Sequence, residues 1–129
     1  MNAMIDHISL RCRDIARARA FYDAVLAPLG YRRIFDFNDT SGYGVAHVPG
    51  SAIPFWIGQA SDGTALSGHL CFRAPSRAAV DAFHRAALAA GGRDDGKPGL
   101  RPHYHPNYYA AFVIDPDGHK IEAVRHQAE

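Results

Sequence analysis

Three side chains in this sequence are of the right kinds to hold a metal ion between them: His7, His69 and Glu122. His7 and His69 each open a strand-like run, on the face opposite its larger apolar residues. Glu122 lies in the last strand-like run, with Ile121 and Ala123 on the other face. A carboxylate inside a strand is costly to bury unless it is paired or coordinated. Two imidazoles and one carboxylate make a facial ligand set with open positions, suited to Fe(II) and also to Mn(II), Zn(II) or Ni(II). Such an ion would polarise adjacent oxygens of a substrate, or bring substrate and dioxygen together. Taken singly, a histidine at a strand start is ordinarily just hydrogen-bonded or exposed, so the case for the trio rests on what positions it.

The positioning comes from an internal repeat. Residues 7–30 and 69–92 align at one offset of 62, which matches His7 to His69, Arg11 to Arg73, Phe21 to Phe83, Leu26 to Leu88 and Gly30 to Gly92. A shared register at this length marks a duplicated supersecondary unit. In the first copy Ile8, Leu10 and Cys12 alternate with His7, Ser9 and Arg11, the period of a strand. Asp14 then caps a helix carrying Ile15, Ala18, Phe21, Val25 and Leu29 at helical spacing, and Gly30 stops it. Strands are expected over 31–37, 43–48 and 53–59, with a turn at Pro49-Gly50.

The second copy has a strand over 69–74 and a helix from Ser76 through Val80, Phe83, Ala87 and Leu88 to Gly91-Gly92. A weak strand over 93–97 and strong ones over 108–114 and 119–124 follow, the last two joined by the turn Asp115-Pro116-Asp117-Gly118. Residues 62–67 read as a linker and 96–107 as a long loop rich in Pro, Gly and His. One domain over 1–129 is expected, with modules at about 4–60 and 67–126. In such a pair equivalent positions meet around the pseudo-axis, so both imidazoles are expected to enter one shared cavity.

Further groups could act beside that centre. His103 and His105 precede Tyr108-Tyr109 in the long loop. If the loop covers the cleft, either imidazole could be a general acid or base, with an ordinary pKa of about 6.5. Tyr109 could hydrogen-bond a substrate oxygen. The alternative is a solvated loop. Arg11 shares the face of His7 and could bind an anionic substrate or pair with acids at the strand ends. His47 lies on a strand, facing either cleft or solvent. His119 reads as a hairpin-exit residue, and His84 and His126 as solvated.

The totals narrow the classes. At 129 residues the chain suits a single domain with a real core. A net charge of +1 without a basic run argues against nucleic acid as a partner. Cys12 and Cys71 form no CxxC pair, which argues against zinc-finger and thioredoxin-like readings. Thiols used as small core residues suit a reducing, cytoplasmic location. No signal peptide is expected at the N-terminus, and no apolar run is long enough to span a membrane.

The segments Ile5-Asp6-His7-Ile8-Ser9-Leu10, Ala20-Phe21-Tyr22 and Gly68-His69-Leu70 occur in order with Asp115-Pro116-Asp117-Gly118-His119-Lys120-Ile121-Glu122. In these the chain resembles, over nearly its whole length, the vicinal oxygen chelate superfamily of glyoxalase I, extradiol dioxygenases and bleomycin-resistance proteins. The resemblance implies an α+β fold of two βαβββ modules whose curved mixed sheet encloses a metal-binding cleft. It also implies metal ligands at His7, His69 and Glu122, a small-molecule substrate and a homodimer, side by side or with exchanged modules.

One departure matters. Glyoxalase I enzymes carry a second carboxylate on the last strand of the first module. Here the aligned position is Trp56, and residues 53–59 hold no acid. That disfavours glyoxalase I proper. Trp56 is expected instead to wall a pocket for an aromatic or otherwise apolar substrate. The expected function is a metal-dependent, glyoxalase- or dioxygenase-like enzyme whose substrate chelates through adjacent oxygens. The alternative is a metal-free protein that sequesters a small molecule, of the bleomycin-resistance type.

Overall fold

The computed structural model describes residues 5, 7–45, 53–62 and 68–129. The repeat read from the sequence becomes two four-stranded mixed sheets of identical connectivity. β1 (Ile8–Cys12), β2 (Arg32–Phe37), β3 (Thr40–Gly44) and β4 (Phe55–Gln59) lie in the order β1-β4-β3-β2. β5 (His69–Arg73), β6 (Arg93–Leu100), β7 (Tyr109–Ile114) and β8 (Lys120–Arg125) lie in the order β5-β8-β7-β6. In each sheet the outer first strand runs parallel to the last and the other pairings are antiparallel.

Each first strand leads into a helix, α1 (Ile15–Leu26) and α2 (Arg77–Ala89). The Asp14 side chain accepts the Arg17 N–H and the Ser76 side chain accepts the Ala79 N–H, so both expected caps form. A single 3-10 turn, Ala27–Leu29, extends α1.

The two helices pack on each other and seal one common core. Phe21 and Phe83, matched in the repeat, are both fully buried there. Burying each phenyl ring contributes about 1.5–3 kcal/mol.

The DPDG turn does more than reverse the chain. Asp115 accepts the N–H groups of Asp117 and His119, each at 2.8 Å, and the Tyr22 hydroxyl of α1 at 2.5 Å. Asp117 accepts the Arg13 N–H at 2.8 Å and an Arg17 guanidinium N–H at 3.3 Å. His119 Nε2 donates to the Arg11 carbonyl at 2.8 Å. A turn of the second module therefore clamps the first. His84, expected to be solvated, is buried and contacts Asp94 at 2.8 Å, tying α2 to β6.

Two boundaries differ from expectation, and one expected turn is not described. β3 starts at Thr40, because Asn38 adopts a left-handed φ of 48° that turns the chain tightly after β2. The turn expected at Pro49-Gly50 lies outside the described residues. β6 runs to Leu100, absorbing its Pro and Gly residues in register shifts around Gly96. The repeat also slips by one at the helix ends. Gly30 and Gly91 hold the left-handed cap, with φ of 92° and 98°. The next N–H closes the cap in both modules, Tyr31 to Leu26 O and Gly92 to Ala87 O. Gly92 is thus the counterpart of Tyr31.

Candidate functional site

Strand alternation decides which side chains leave the core. In β5, Leu70 and Phe72 pack toward the helices and His69 lies on the opposite face. In β8, Ile121 and Ala123 are in the core and Glu122 is on the other face, paired in register with Cys71 of β5 and Phe112 of β7. His69 and Glu122 thereby meet. His69 Nε2 is 2.9 Å from Glu122 Oε1, and the Tyr108 hydroxyl donates to Glu122 Oε2.

Glu122 is buried while the His69 ring is half exposed, so the pair sits at the floor of an open cleft of about 650 Å³. Burial, followed by the bond to Glu122, pushes the Tyr108 phenol well above its ordinary value and keeps it a donor.

These donors fit a divalent transition metal. Two ligands about 2.1 Å from an ion and at right angles to each other stand about 3 Å apart. The His69–Glu122 separation has that span already. Tyr108 is the partner that would orient the carboxylate.

His7 is elsewhere. It lines a second cleft, of about 250 Å³, on the free face of the first sheet with Arg11, Thr40 and Trp56. Among the described residues no group of three or more His, Cys, Asp or Glu is gathered closely enough to hold a metal. The expectation that both imidazoles enter one cavity of a single chain is therefore not met. The reason is the packing: the modules join through α1 and α2, and among the described residues the two sheets share no strand pairing. The edge strands β1 and β5 leave His7 and His69 in separate clefts.

The remaining candidates divide. Arg11 lies beside His7 as expected. Trp56 walls the same cleft, its ring edge on Phe35 and its indole N–H donating to Ile53 O at 2.8 Å. His47 lies outside the described residues. His103 is exposed, its ring against Tyr104. His105 turns from the metal-type pair to meet His126, with 2.9 Å between ring nitrogens, and both rings stand edge-on to Tyr108.

Tyr109 points to the helix side of β7, where its hydroxyl donates to Asp81 of α2 at 2.7 Å. The tyrosine in the cleft is Tyr108. Alternation could have found it, since Phe112 pairs with Glu122 and residues two and four positions earlier share its face. Arg101 and Lys120 also line the cleft and carried no motif that marked them.

The comparisons agree with this architecture. The family model of the Glyoxalase/Bleomycin resistance protein/Dioxygenase superfamily matches residues 4–123. A solved glyoxalase/bleomycin resistance protein from Albidiferax ferrireducens T118 is 32% identical, with a TM-score of 0.78, over 95% of this chain and 98% of that one. Two more distant structures share the fold. Lactoylglutathione lyase from Agrobacterium tumefaciens is 19% identical, with a TM-score of 0.64, over 96% and 93% of the two chains. The fosfomycin resistance protein FosX from Listeria monocytogenes, solved with Mn(II) and 1S,2S-dihydroxypropylphosphonic acid, is 17% identical, with a TM-score of 0.66, over 100% and 94%. No curated protein matches the chain.

Proposed function

Because the chain belongs to the Glyoxalase/Bleomycin resistance protein/Dioxygenase superfamily, we propose that it is a metal-dependent enzyme of that group, acting on a small substrate bound through adjacent oxygens. The observation that carries this reading is the His69–Glu122 pair, spaced at 2.9 Å on the floor of an open cleft. The third ligand is His7 of a second copy of the chain. His7 and the His69–Glu122 pair each face outward beside an edge strand, β1 or β5, and a homodimer that joins these edges brings them together.

A divalent ion bound there would supply Lewis acidity to the chelated oxygens. The chain's own residues do the rest. Tyr108 fixes the rotamer of Glu122 through its second oxygen. Trp56 contributes an apolar wall beside His7 and offers no fourth ligand, which sets this chain apart from glyoxalase I proper. His103 and His105 contact Tyr104 and Tyr108, which line the cleft, and are candidates for moving a proton at its rim.

The test is metal content. Protein purified without chelators or a metal-affinity step should carry near-stoichiometric transition metal, and His69→Ala should lose it. A wild type that stays metal-free at every stage and yet binds small apolar molecules would instead favour a sequestering protein.

A further inference from the structure

We propose that the substrate carries a carboxylate on a planar, largely apolar frame, and that Arg101 and Lys120 hold that carboxylate beside the His69–Glu122 pair. The metal-site reading above enters only in saying where the chelated oxygens lie.

The argument begins at Phe112. Its ring has the Arg101 guanidinium 5.4 Å from its centroid and the Lys120 ammonium at 5.1 Å, and the His69 ring centroid is 6.2 Å away. Two cations and a metal-type imidazole therefore gather around one side chain, which itself pairs in register with Glu122.

Arg101 is seated rather than loose. Its two terminal nitrogens donate to the carbonyls of Gly99 and Lys97, each at 2.8 Å. A Cβ at Gly96 would meet Arg101 Nη2 at 3.2 Å and Phe112 Cδ1 at 2.9 Å, so the missing side chain there is what lets the guanidinium lie across the strand. Among the described residues Arg101 has carbonyl partners and no carboxylate. Lys120 does pair with Asp95, at 3.1 Å.

The fold thus holds a guanidinium in place at a cleft with, among the described residues, no carboxylate bonded to it. A guanidinium presents further N–H donors to a carboxylate in that position. Tyr104 and Tyr108, with ring centroids 4.8 Å apart, wall the same cleft with aromatic surface. An apolar plane ending in an anion matches these walls.

Titration calorimetry on the full chain, metal-free and Zn(II)-loaded, tests this with 3,4-dihydroxybenzoate against 3,4-dihydroxybenzamide, its neutral isostere. The acid should bind about tenfold more tightly than the amide in both forms at low salt, and the preference should shrink as salt screens the charges. Arg101→Gln should bring the ratio close to one and Arg101→Lys should keep part of it. Lys120→Gln, which leaves the Arg101 seat untouched, should lower it less.

Equal binding of acid and amide by the wild type, no binding of the acid at millimolar concentration, or a preference that survives the double Arg101→Gln, Lys120→Gln variant overturns the proposal. Retention of the preference by a protein that takes up no metal leaves this inference standing and removes the metal reading. Metal uptake without the preference does the reverse.

Discussion

Trp56 stands in the first sheet where Glu122 stands in the second. Trp56 pairs with Ser9 of β1 and Gly42 of β3, and Glu122 pairs with Cys71 of β5 and Phe112 of β7. Only one of the two equivalent clefts keeps an acid. A Cβ on Gly42 would meet Ile53 Cγ2 at 2.6 Å and the Trp56 ring at 2.9 Å, so the missing side chain there makes room for the indole. Each chain thereby presents one face with His69 and Glu122 and another with His7.

That asymmetry makes a complementation test possible. His7→Ala and Glu122→Ala proteins should each bind little metal alone. Unfolded together and refolded as a mixture, they should recover roughly one site in four, because half of randomly paired dimers hold one intact site. Metal analysis of the mixture checks this, and no recovery would place the third ligand elsewhere.

Tyr108→Phe removes the hydroxyl that fixes Glu122 Oε2 and leaves the ligands in place. Metal affinity should fall by about 10–100-fold, as for other outer-shell partners. Chelator competition reads this directly. The melting temperature of the metal-free protein should change little, since Tyr108 lies at the cleft and outside the main core.

Asp115 is buried and accepts from three donors on two modules. Asp115→Ala strands all three and should cost about 3–5 kcal/mol of stability. Tyr22→Phe removes one charge-assisted bond and should cost about 1.5–3 kcal/mol. Urea denaturation distinguishes the two.

Alkaline pH should unfold the protein through its buried tyrosines. Burial raises Tyr22, helped by Asp115, and burial raises Tyr43, helped by Asp23. In the unfolded chain both titrate near pH ~10. Below that pH both states keep these protons and the contribution is constant. Above it the unfolded chain releases protons that the fold retains, so stability falls as pH rises. Tyr22→Phe should remove about 1.4 kcal/mol of that loss in total between pH ~9 and ~11, as measured by denaturation across the range.

Gly91 and Gly92 should fail for different reasons. Gly91 has φ 98° with open space around it, so Gly91→Asn should be tolerated better than Gly91→Ala. At Gly92 a Cβ would meet Phe21 Cε1 at 2.8 Å and the Ala87 and Ile114 carbonyls at 3.0 and 3.1 Å. There Gly92→Ala should cost about 1–3 kcal/mol and Gly92→Asn more. Thermal melts of the four variants give the ordering.

Much of this was legible in the sequence because its signals are local. The alternation around His7 and His69, the caps at Asp14 and Ser76 and the turn at 115–118 each specify backbone within a few residues. What the sequence did not carry is nonlocal. The offset of 62 describes equivalence between modules and is silent on whether their sheets meet edge to edge or their helices pack together. Tyr109 and Tyr108 differ by one position, and in a strand one position reverses the face. Arg101 carries no sequence signal because its seat is built by Gly96 and Gly99, residues that read as loop. His84 reads as solvated and His119 only as a hairpin-exit residue because their partners, Asp94 and the Arg11 carbonyl, belong to other elements.

The common core between α1 and α2 also makes each module depend on the other. Cut at the linker, either half would expose the helix face that carries Phe21 or Phe83, too much oily surface for a free monomer of that size. A half-length version of this architecture would therefore have to self-associate to cover that face.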